Sequence, residues 1–116
     1  MANILCIGMN EAAMQERNSI LRHAGHVVSQ AKDVRQVESA CSGIQFDVVI
    51  IGHSLPAQEK VRVADIVRRC CRAKIVELHD REAGELQVAD AQVAATDIGR
   101  SLLNTVERLT SKRRSA

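Results

Sequence analysis

The chain has 116 residues and a formal net charge of +2, which is long enough for one domain and too weakly charged to indicate a polyanionic partner. Hydrophobic residues make up 46% of the chain, but Phe46 is its one aromatic residue, so the core must be aliphatic and there is no aromatic platform for stacking nucleic-acid bases. No segment approaches the roughly 18 apolar residues of a membrane span, and no charged signal peptide precedes the first apolar run, so we expect a cytoplasmic protein.

In the first half of the chain, short apolar runs alternate with segments of helical periodicity. Strands are predicted from Asn3 to Ile7 and from His26 to Ala31. The helix between them ends at Gly25, and its recurring positions are Ala13, Arg17, Ile20, Leu21 and Ala24. Asp33 is expected to cap a second helix that ends at Gly43. Its inward residues are predicted to be Val34, Val37, Ala40 and Cys41.

The most apolar strand is predicted from Asp47 to Ile51, and its four consecutive β-branched residues are typical of a central parallel strand buried on both faces. Pro56 opens a third helix that runs to about Cys71. A fourth strand from Lys74 to Leu78 follows. The inward residues of the third helix are predicted to be Val63, Val67 and either Cys70 or Cys71.

The pattern weakens after the fourth strand. Gly84 interrupts the stretch from His79 to Val88, which leaves room for one or two helical turns, and a weak strand is predicted from Gln92 to Ala95. The last helix begins with Thr96 or Asp97 as its cap. Its apolar stripe is predicted to contain Ile98, Leu102, Val106 and Leu109. We expect residues 1–110 to form the domain and 111–116 a polar, basic tail or linker.

Five alternations of strand and helix predict an α/β fold, with one parallel sheet covered on both faces in three layers. The expected strand order is 2-1-3-4-5. In such sheets ligands bind at the carboxyl ends of the strands. Here those ends are Gly8 to Asn10, Gly52 to Ser54, His79 and Ala95.

Four motifs are spread over almost the whole chain, namely the apolar strand Ile4 to Ile7, the helix-ending Gly25, the run from Asp47 to Ile51 with Leu55-Pro56, and Ala89-Asp90. Together they resemble the receiver domains of bacterial two-component response regulators. It implies a flavodoxin-like (βα)5 fold and a role in phosphorelay signalling. It also implies protein partners, which are other signalling proteins or a second copy in a homodimer, with no nucleic acid or membrane contact expected from this domain.

The positions that would carry the receiver chemistry have other residues in this chain. By the resemblance, the phosphate-accepting aspartate is replaced by Gly52, and the acidic pair that holds Mg²⁺ by Gly8 and Met9. The hydroxyl, lysine and aromatic-switch positions fall on His79, Ala95 and Gln92. We therefore expect a degenerate pseudo-receiver that is not an enzyme and has no metal or cofactor. By the resemblance, the stretch from 78 to 95 is also about five residues shorter than we expect of the family from typical element and loop lengths, which predicts a shortened fourth helix.

Three sharper hypotheses compete with this one. Cys6 to Asn10 is similar to the cysteine loop of sugar-phosphotransferase subunits, in which a thiolate accepts phosphate. His53 and His79 lie at the predicted carboxyl edge, where two imidazoles are weak evidence for a metal or pH-sensing site. The neighbouring Cys70 and Cys71 are candidates for a redox role. Without CxxC spacing, reduced and mostly buried thiols are the simplest interpretation. Charged helix residues are predicted to be solvated, namely Glu16, Arg17, Arg22, Asp65 and Glu107.

Overall fold

Strands and helices alternate along the chain in the computed structural model, which describes residues 2–8, 11–43, 45–53, 55–70, 72–79, 89–94 and 99–114. The strands are β1 (Asn3–Ile7), β2 (Val27–Ala31), β3 (Val48–Ile51), β4 (Lys74–His79) and β5 (Ala91–Ala94). The helices in the described part are α1 (Glu11–His23), α2 (Val34–Gly43), α3 (Ala57–Cys70) and α4 (Gly99–Arg114). Within these ranges no helix is both long and apolar enough to cross a bilayer.

The five strands form one parallel sheet in the order β2-β1-β3-β4-β5, which confirms the predicted flavodoxin-like topology. Ile7 at the end of β1 pairs with Ala31 on one side and with Ile51 on the other. The chain therefore leaves β1 and β3 at the same level of the carboxyl edge, so that Gly8 and Gly52 follow neighbouring strands there.

Apolar clusters on the two faces of the sheet explain why the central strands are apolar throughout. Leu5 and Ile7 of β1 face a cluster with α2 and α3, whereas Ile4 and Cys6 face a cluster with α1 and α4. All four residues of β3 are fully buried for the same reason. Burial on both faces removes the polar alternation of a half-exposed strand, so the middle of the sheet is the best-covered part of the molecule.

Helix α1 differs from the prediction in the face that it buries. Its buried residues are Met14, Arg17, Asn18 and Leu21, whereas Ile20 is half-buried and Ala24 is exposed. These four lie at positions i, i+3, i+4 and i+7, so they form one helical stripe. Arg17 is only 2% exposed, which makes the prediction of a solvated side chain wrong. Glu16, Arg22, Asp65 and Glu107 are exposed as predicted.

The inward faces of the other helices were mostly predicted, with Lys60 of α3 as an exception. Lys60 is buried although no apolar pattern includes it. Of the two cysteines of which one was expected to face inward, Cys70 is exposed, and Cys71 lies outside the described residues. The remaining buried residues of α3 are Val63, Ala64, Ile66 and Val67, and the predicted stripes of α2 and α4 are confirmed at Val37, Cys41, Leu102, Val106 and Leu109.

Some boundaries differ from those predicted. Strand β5 is one residue earlier than expected, at Ala91–Ala94, and α4 continues through Arg114, past the predicted domain end at residue 110. The shortened helix predicted before β5 falls in 80–88, and the predicted caps of the last helix fall in 95–98. Both ranges lie outside the described residues, so these two expectations stay predictions.

Candidate functional site

The sheet changes winding direction between β1 and β3, and a glycine follows each of these two strands. The amide of Gly8 donates to the carbonyl of Ala31 at 3.2 Å, and the amide of Gly52 donates to the carbonyl of Ile7 at 2.7 Å. Both amides are therefore used inside the protein. A cradle of free backbone amides, which many phosphate sites use, is not formed by these two residues.

The side chain of Arg17 extends from α1 to these two glycines. A Cβ atom built on Gly8 would lie 3.2 Å from Nη2 of Arg17, and one built on Gly52 would lie 3.4 Å from the same atom. The guanidinium thus packs directly against the backbone where two strands end. We call Gly8, Arg17 and Gly52 together the glycine–arginine site.

Gly52 cannot be exchanged for a larger residue without movement of the backbone. Its added Cβ would lie 2.7 Å from the carbonyl oxygen of Ile7, closer than real Cβ contacts allow. At Gly8 the nearest atoms belong to the Arg17 and Met14 side chains, which are able to shift. The close approach of β1 and β3 at this edge is therefore what requires glycine at position 52.

Two of the three guanidinium nitrogens of Arg17 are buried without hydrogen bonds. These are Nε and Nη1, which are inaccessible to solvent and have no hydrogen-bond partner. Burial lowers the pKa of Arg17, an effect partly opposed by Cys6. An arginine in a protein nevertheless keeps its proton at neutral pH, so the site has a fixed positive charge.

Cys6 lies in the middle of β1, not in a loop, and is completely buried. Burial raises the pKa of its thiol to about 12, although Arg17 and Arg22 act in the opposite direction. The thiol is therefore protonated at neutral pH and is a poor nucleophile. These observations go against the hypothesis of a phosphotransferase that uses Cys6.

The other predicted site residues are spread along the same edge. His79 is the half-buried last residue of β4, and it pairs in register with Ala94 of β5. His53 follows Gly52 and is half-buried, with a buried Nδ1 atom that has no hydrogen-bond partner. Met9 and Ala95 lie outside the described residues. The described part of the chain contains no group of three or more histidine, cysteine or acidic side chains arranged to hold a metal ion.

A buried polar network beside this edge was not predicted from the sequence. The Nζ atom of Lys60 lies 2.9 Å from Oε2 of Glu77, and both side chains are almost completely buried. The Nε2 atom of Gln92 donates to Oε1 of the same carboxylate at 3.1 Å. The network thus connects α3, β4 and β5. The one signal in the sequence is an acidic residue inside the apolar run of β4.

Solved structures with very similar architecture are receiver domains. The N-terminal domain of a response regulator/sensory box/GGDEF three-domain protein from Carboxydothermus hydrogenoformans is 16% identical, with a TM-score of 0.84 and 97% of each chain covered. A response regulator receiver domain protein from Methanospirillum hungatei is 18% identical, with a TM-score of 0.83, 100% of this chain and 99% of that chain covered.

The receiver domain of a sensor histidine kinase from Pseudomonas aeruginosa, which has a magnesium ion coordinated in its active-site cleft, is 20% identical. Its TM-score is 0.79, with 93% of this chain and 96% of that chain covered. No protein-family model and no curated protein sequence matches the chain. At these identities the likeness concerns the fold, and the chain therefore has the fold of response-regulator receiver domains.

Proposed function

We propose that this chain is a receiver-like signalling domain that acts through protein partners and accepts no phosphoryl group. The observation that carries the proposal is the glycine–arginine site. By the resemblance, Gly52 stands where the acceptor aspartate would be and Gly8 where an Mg²⁺-binding carboxylate would be. Neither residue has a side chain, and the guanidinium of Arg17 packs against both.

The charge of the site supports the same conclusion. Receiver chemistry needs carboxylate oxygens that hold Mg²⁺ beside the acceptor. A divalent cation about 5 Å from a guanidinium is repelled by roughly 7 kcal/mol at an effective dielectric constant of 20. A buried arginine at this edge thus disfavours the metal ion, in addition to the lack of carboxylates at positions 8 and 52.

The partners of such a domain would be other signalling proteins or a second copy of this chain, and we place the domain in the cytoplasm. With no covalent switch, association would depend on the concentrations of the partners and not on phosphorylation of this domain. The fold supports this role by analogy only. The glycine–arginine site is the feature of this chain itself that favours the phosphorylation-independent form.

Incubation with acetyl phosphate and Mg²⁺, followed by intact-mass spectrometry, tests the proposal. We expect no added phosphoryl group, and no change of the oligomeric state measured by light scattering, under conditions in which an active receiver domain is modified in the same reaction. Beryllofluoride with Mg²⁺ should likewise leave the amide spectrum unchanged. A phosphoryl group mapped to any residue of the carboxyl edge would contradict the proposal.

The variant Gly52→Asp tests why the chemistry is missing. We expect that restoring a carboxylate does not restore phosphorylation, because the new Cβ collides with the Ile7 carbonyl and the carboxylate faces the Arg17 guanidinium. Gly99→Asp is the matched control, since a Cβ at Gly99 meets nothing within 4 Å. Phosphorylation of Gly52→Asp at wild-type Arg17 would show that the loss of the aspartate alone silences the site.

A further inference from the structure

An open groove runs along the seam between α2 and α3 on the surface of the molecule. One hollow in it has a volume of about 330 Å³, and a second of about 360 Å³ shares part of its lining and extends to the C-terminal end of α3. Helix α2 forms one wall of the first hollow with Val34 and Glu38. The residues of the α3 wall are Arg62, Asp65, Ile66 and Arg69. We call this feature the α2–α3 groove.

The two walls of the α2–α3 groove have unpaired charges of opposite sign. Asp65 and Arg69 form an ion pair with each other within α3, with 2.9 Å between Nη2 and Oδ2. Glu38 of α2 and Arg62 of α3 are exposed, and neither has an ion-pair partner among the residues that the structure describes. The groove therefore has a free negative charge on one wall and a free positive charge on the other.

The surface around these charges is partly apolar. Val34 is half-buried and Ile66 is 8% exposed, so both contribute apolar area to the groove. Val61 lies one turn before Asp65 on α3 and is 58% exposed, a large exposure for an apolar side chain in the described part of the chain. Apolar area bordered by charged groups is the usual composition of a protein–protein interface. The groove thus fits a protein partner.

We propose that two copies of this chain pair through the α2–α3 groove about a two-fold axis, with Glu38 of each copy against Arg62 of the other. A two-fold axis brings the same surface of both copies together, so each contact between two different residues occurs twice. A surface with charges of one sign would repel its own rotated copy, whereas free charges of opposite sign on two walls attract it. The inference rests on the proposed function, because it names a second copy of the chain as the protein partner.

The position of the groove suits a domain that accepts no phosphoryl group. Helices α2 and α3 cover one face of the sheet, and α1, which contributes Arg17, covers the other with α4. Pairing through α2 and α3 therefore needs no chemical change at the glycine–arginine site. Because each exposed ion pair contributes little, the dimer is expected to be weak, with a dissociation constant on the order of 100 μM.

Association of the wild-type chain is the first test. Sedimentation equilibrium over a range of concentrations around 100 μM should show a monomer–dimer equilibrium. The dissociation constant should rise at least about threefold when NaCl is increased from roughly 0.05 M to 0.5 M, because salt screens exposed charges. In ¹⁵N NMR spectra recorded over the same range, amides of α2 and α3 should shift with concentration, whereas those of α1 and α4 should not.

Charge reversal tests the proposed contact itself. Glu38→Arg and Arg62→Glu should each weaken dimerisation at least about tenfold, since each brings like charges together at both contacts. An equimolar mixture of the two variants should associate about as well as wild type or better. In that mixture one chain has two arginines at these positions and the other has two glutamates, so both contacts are again attractive.

Glu16→Arg and Arg100→Glu are the matched controls. They change the net charge by the same amounts, at exposed positions of α1 and α4 on the other face of the sheet. Each should dimerise as wild type does, and their mixture should gain nothing. The unfolding temperatures of all four variants should stay close to that of wild type, because none of these side chains is buried.

The inference is overturned if the wild-type chain stays monomeric up to about 1 mM, which would leave the groove to a different protein or to solvent. It is also overturned if reversal at Glu38 or Arg62 has no effect, or if their mixture associates no better than each variant alone. A monomer that gains no mass with acetyl phosphate overturns this inference and leaves the proposed function. A dimer with the expected charge dependence that does gain mass contradicts the proposed function and leaves the groove as the interface.

Discussion

The close contact between Gly52 and the Ile7 carbonyl is the steric restraint that is most specific to the glycine–arginine site. A Cβ at Gly52 would be 2.7 Å from this backbone oxygen, whereas a Cβ at Gly8 would be 3.2 Å from a movable atom of Arg17. The carbonyl also accepts the Gly52 amide hydrogen bond, so it cannot turn away without loss of that bond. Glycine at position 52 is thus explained by backbone packing.

We expect Gly52→Ala to lower the free energy of unfolding by about 1–3 kcal/mol, because overpacking of a dense interior costs energy of this size. Gly8→Ala should cost less, since the Arg17 and Met14 side chains are able to shift. Urea denaturation of both variants measures the difference. Equal losses for the two variants would show that the short Gly52 contact relaxes without cost.

The buried Lys60–Glu77 pair connects elements that lie side by side in the fold. It fixes α3 to β4, and Gln92 extends the contact to β5 through the second carboxylate oxygen. Removal of one partner of a buried ion pair leaves an uncompensated charge, whereas apolar replacement of both partners is often tolerated. The pair is therefore expected to act as a unit.

We predict that Lys60→Met and Glu77→Leu each lower the free energy of unfolding by about 3–5 kcal/mol, and that the double variant loses much less than the sum. A double-mutant cycle from urea denaturation gives the coupling. The exposed Asp65–Arg69 pair of α3 is the matched control, for which the coupling should be below about 0.5 kcal/mol. Additive losses at Lys60 and Glu77 would refute the prediction.

The junction of α1 and β2 contains a histidine that should make stability depend on pH. The Nδ1 atom of His26 accepts a hydrogen bond from the amide of Ala2 at 3.1 Å, so it must be unprotonated in the native state. Burial lowers the pKa of His26, the N-terminal amine lowers it further, and Glu107 opposes both. Because the folded pKa lies below the unfolded value of about 6.5, the unfolded chain binds the proton more readily.

The contribution of His26 to stability is therefore complete above pH 6.5 and is lost as the pH falls below this value toward the folded pKa. We expect the unfolding temperature to fall between pH 7.5 and pH 5.5, and to fall less steeply in His26→Asn, which keeps an acceptor but does not titrate. His23→Asn is the control, since His23 is exposed at the end of α1. If His26→Asn has the wild-type pH profile, another group is responsible.

Over the whole molecule, the features that could be predicted from sequence are those set by local pattern. The run of β-branched residues in β3 and the apolar stripes of α2 and α4 predict that strands and helices alternate along the chain. This alternation, combined with right-handed crossovers, predicts the order of the strands in the sheet. The resemblance also directed attention to Gly52. Each of these predictions depends on residues that lie close together along the chain, or on a general rule of topology.

The features that were missed depend on non-local contacts of charged residues. Arg17 lies between Met14 and Leu21 on a stripe of buried residues, but a charged residue on a helix is usually solvated, so pattern alone assigns it outward. Lys60 and Glu77 are far apart in sequence. The residues near each of them do not indicate that the two charges form a buried ion pair. Both exceptions lie at or beside the carboxyl edge of the sheet, where departures from pattern are expected if the edge has a function.

The positive charge at the carboxyl edge should affect how Mg²⁺ changes the unfolding temperature of the protein. Binding of Mg²⁺ to the native state alone would add about 2.7 kcal/mol at a hundredfold excess over the dissociation constant, enough to raise the unfolding temperature by several degrees in a domain of this size. The described residues contain no group of three potential ligands, and Arg17 gives the edge a positive charge. The Pseudomonas aeruginosa receiver domain, in contrast, has Mg²⁺ in its cleft.

We therefore expect 10-fold increases of MgCl₂ concentration to change the unfolding temperature no more than NaCl of equal ionic strength does, and EDTA to have no effect. Chloride salts are used in both titrations, so that the anion does not differ between them. The Pseudomonas aeruginosa domain, measured in parallel, should be stabilised by MgCl₂. A saturable rise with MgCl₂ in this chain would mean that carboxylates gather at the edge in spite of the arginine, and both the metal-free site and its positive charge would have to be given up.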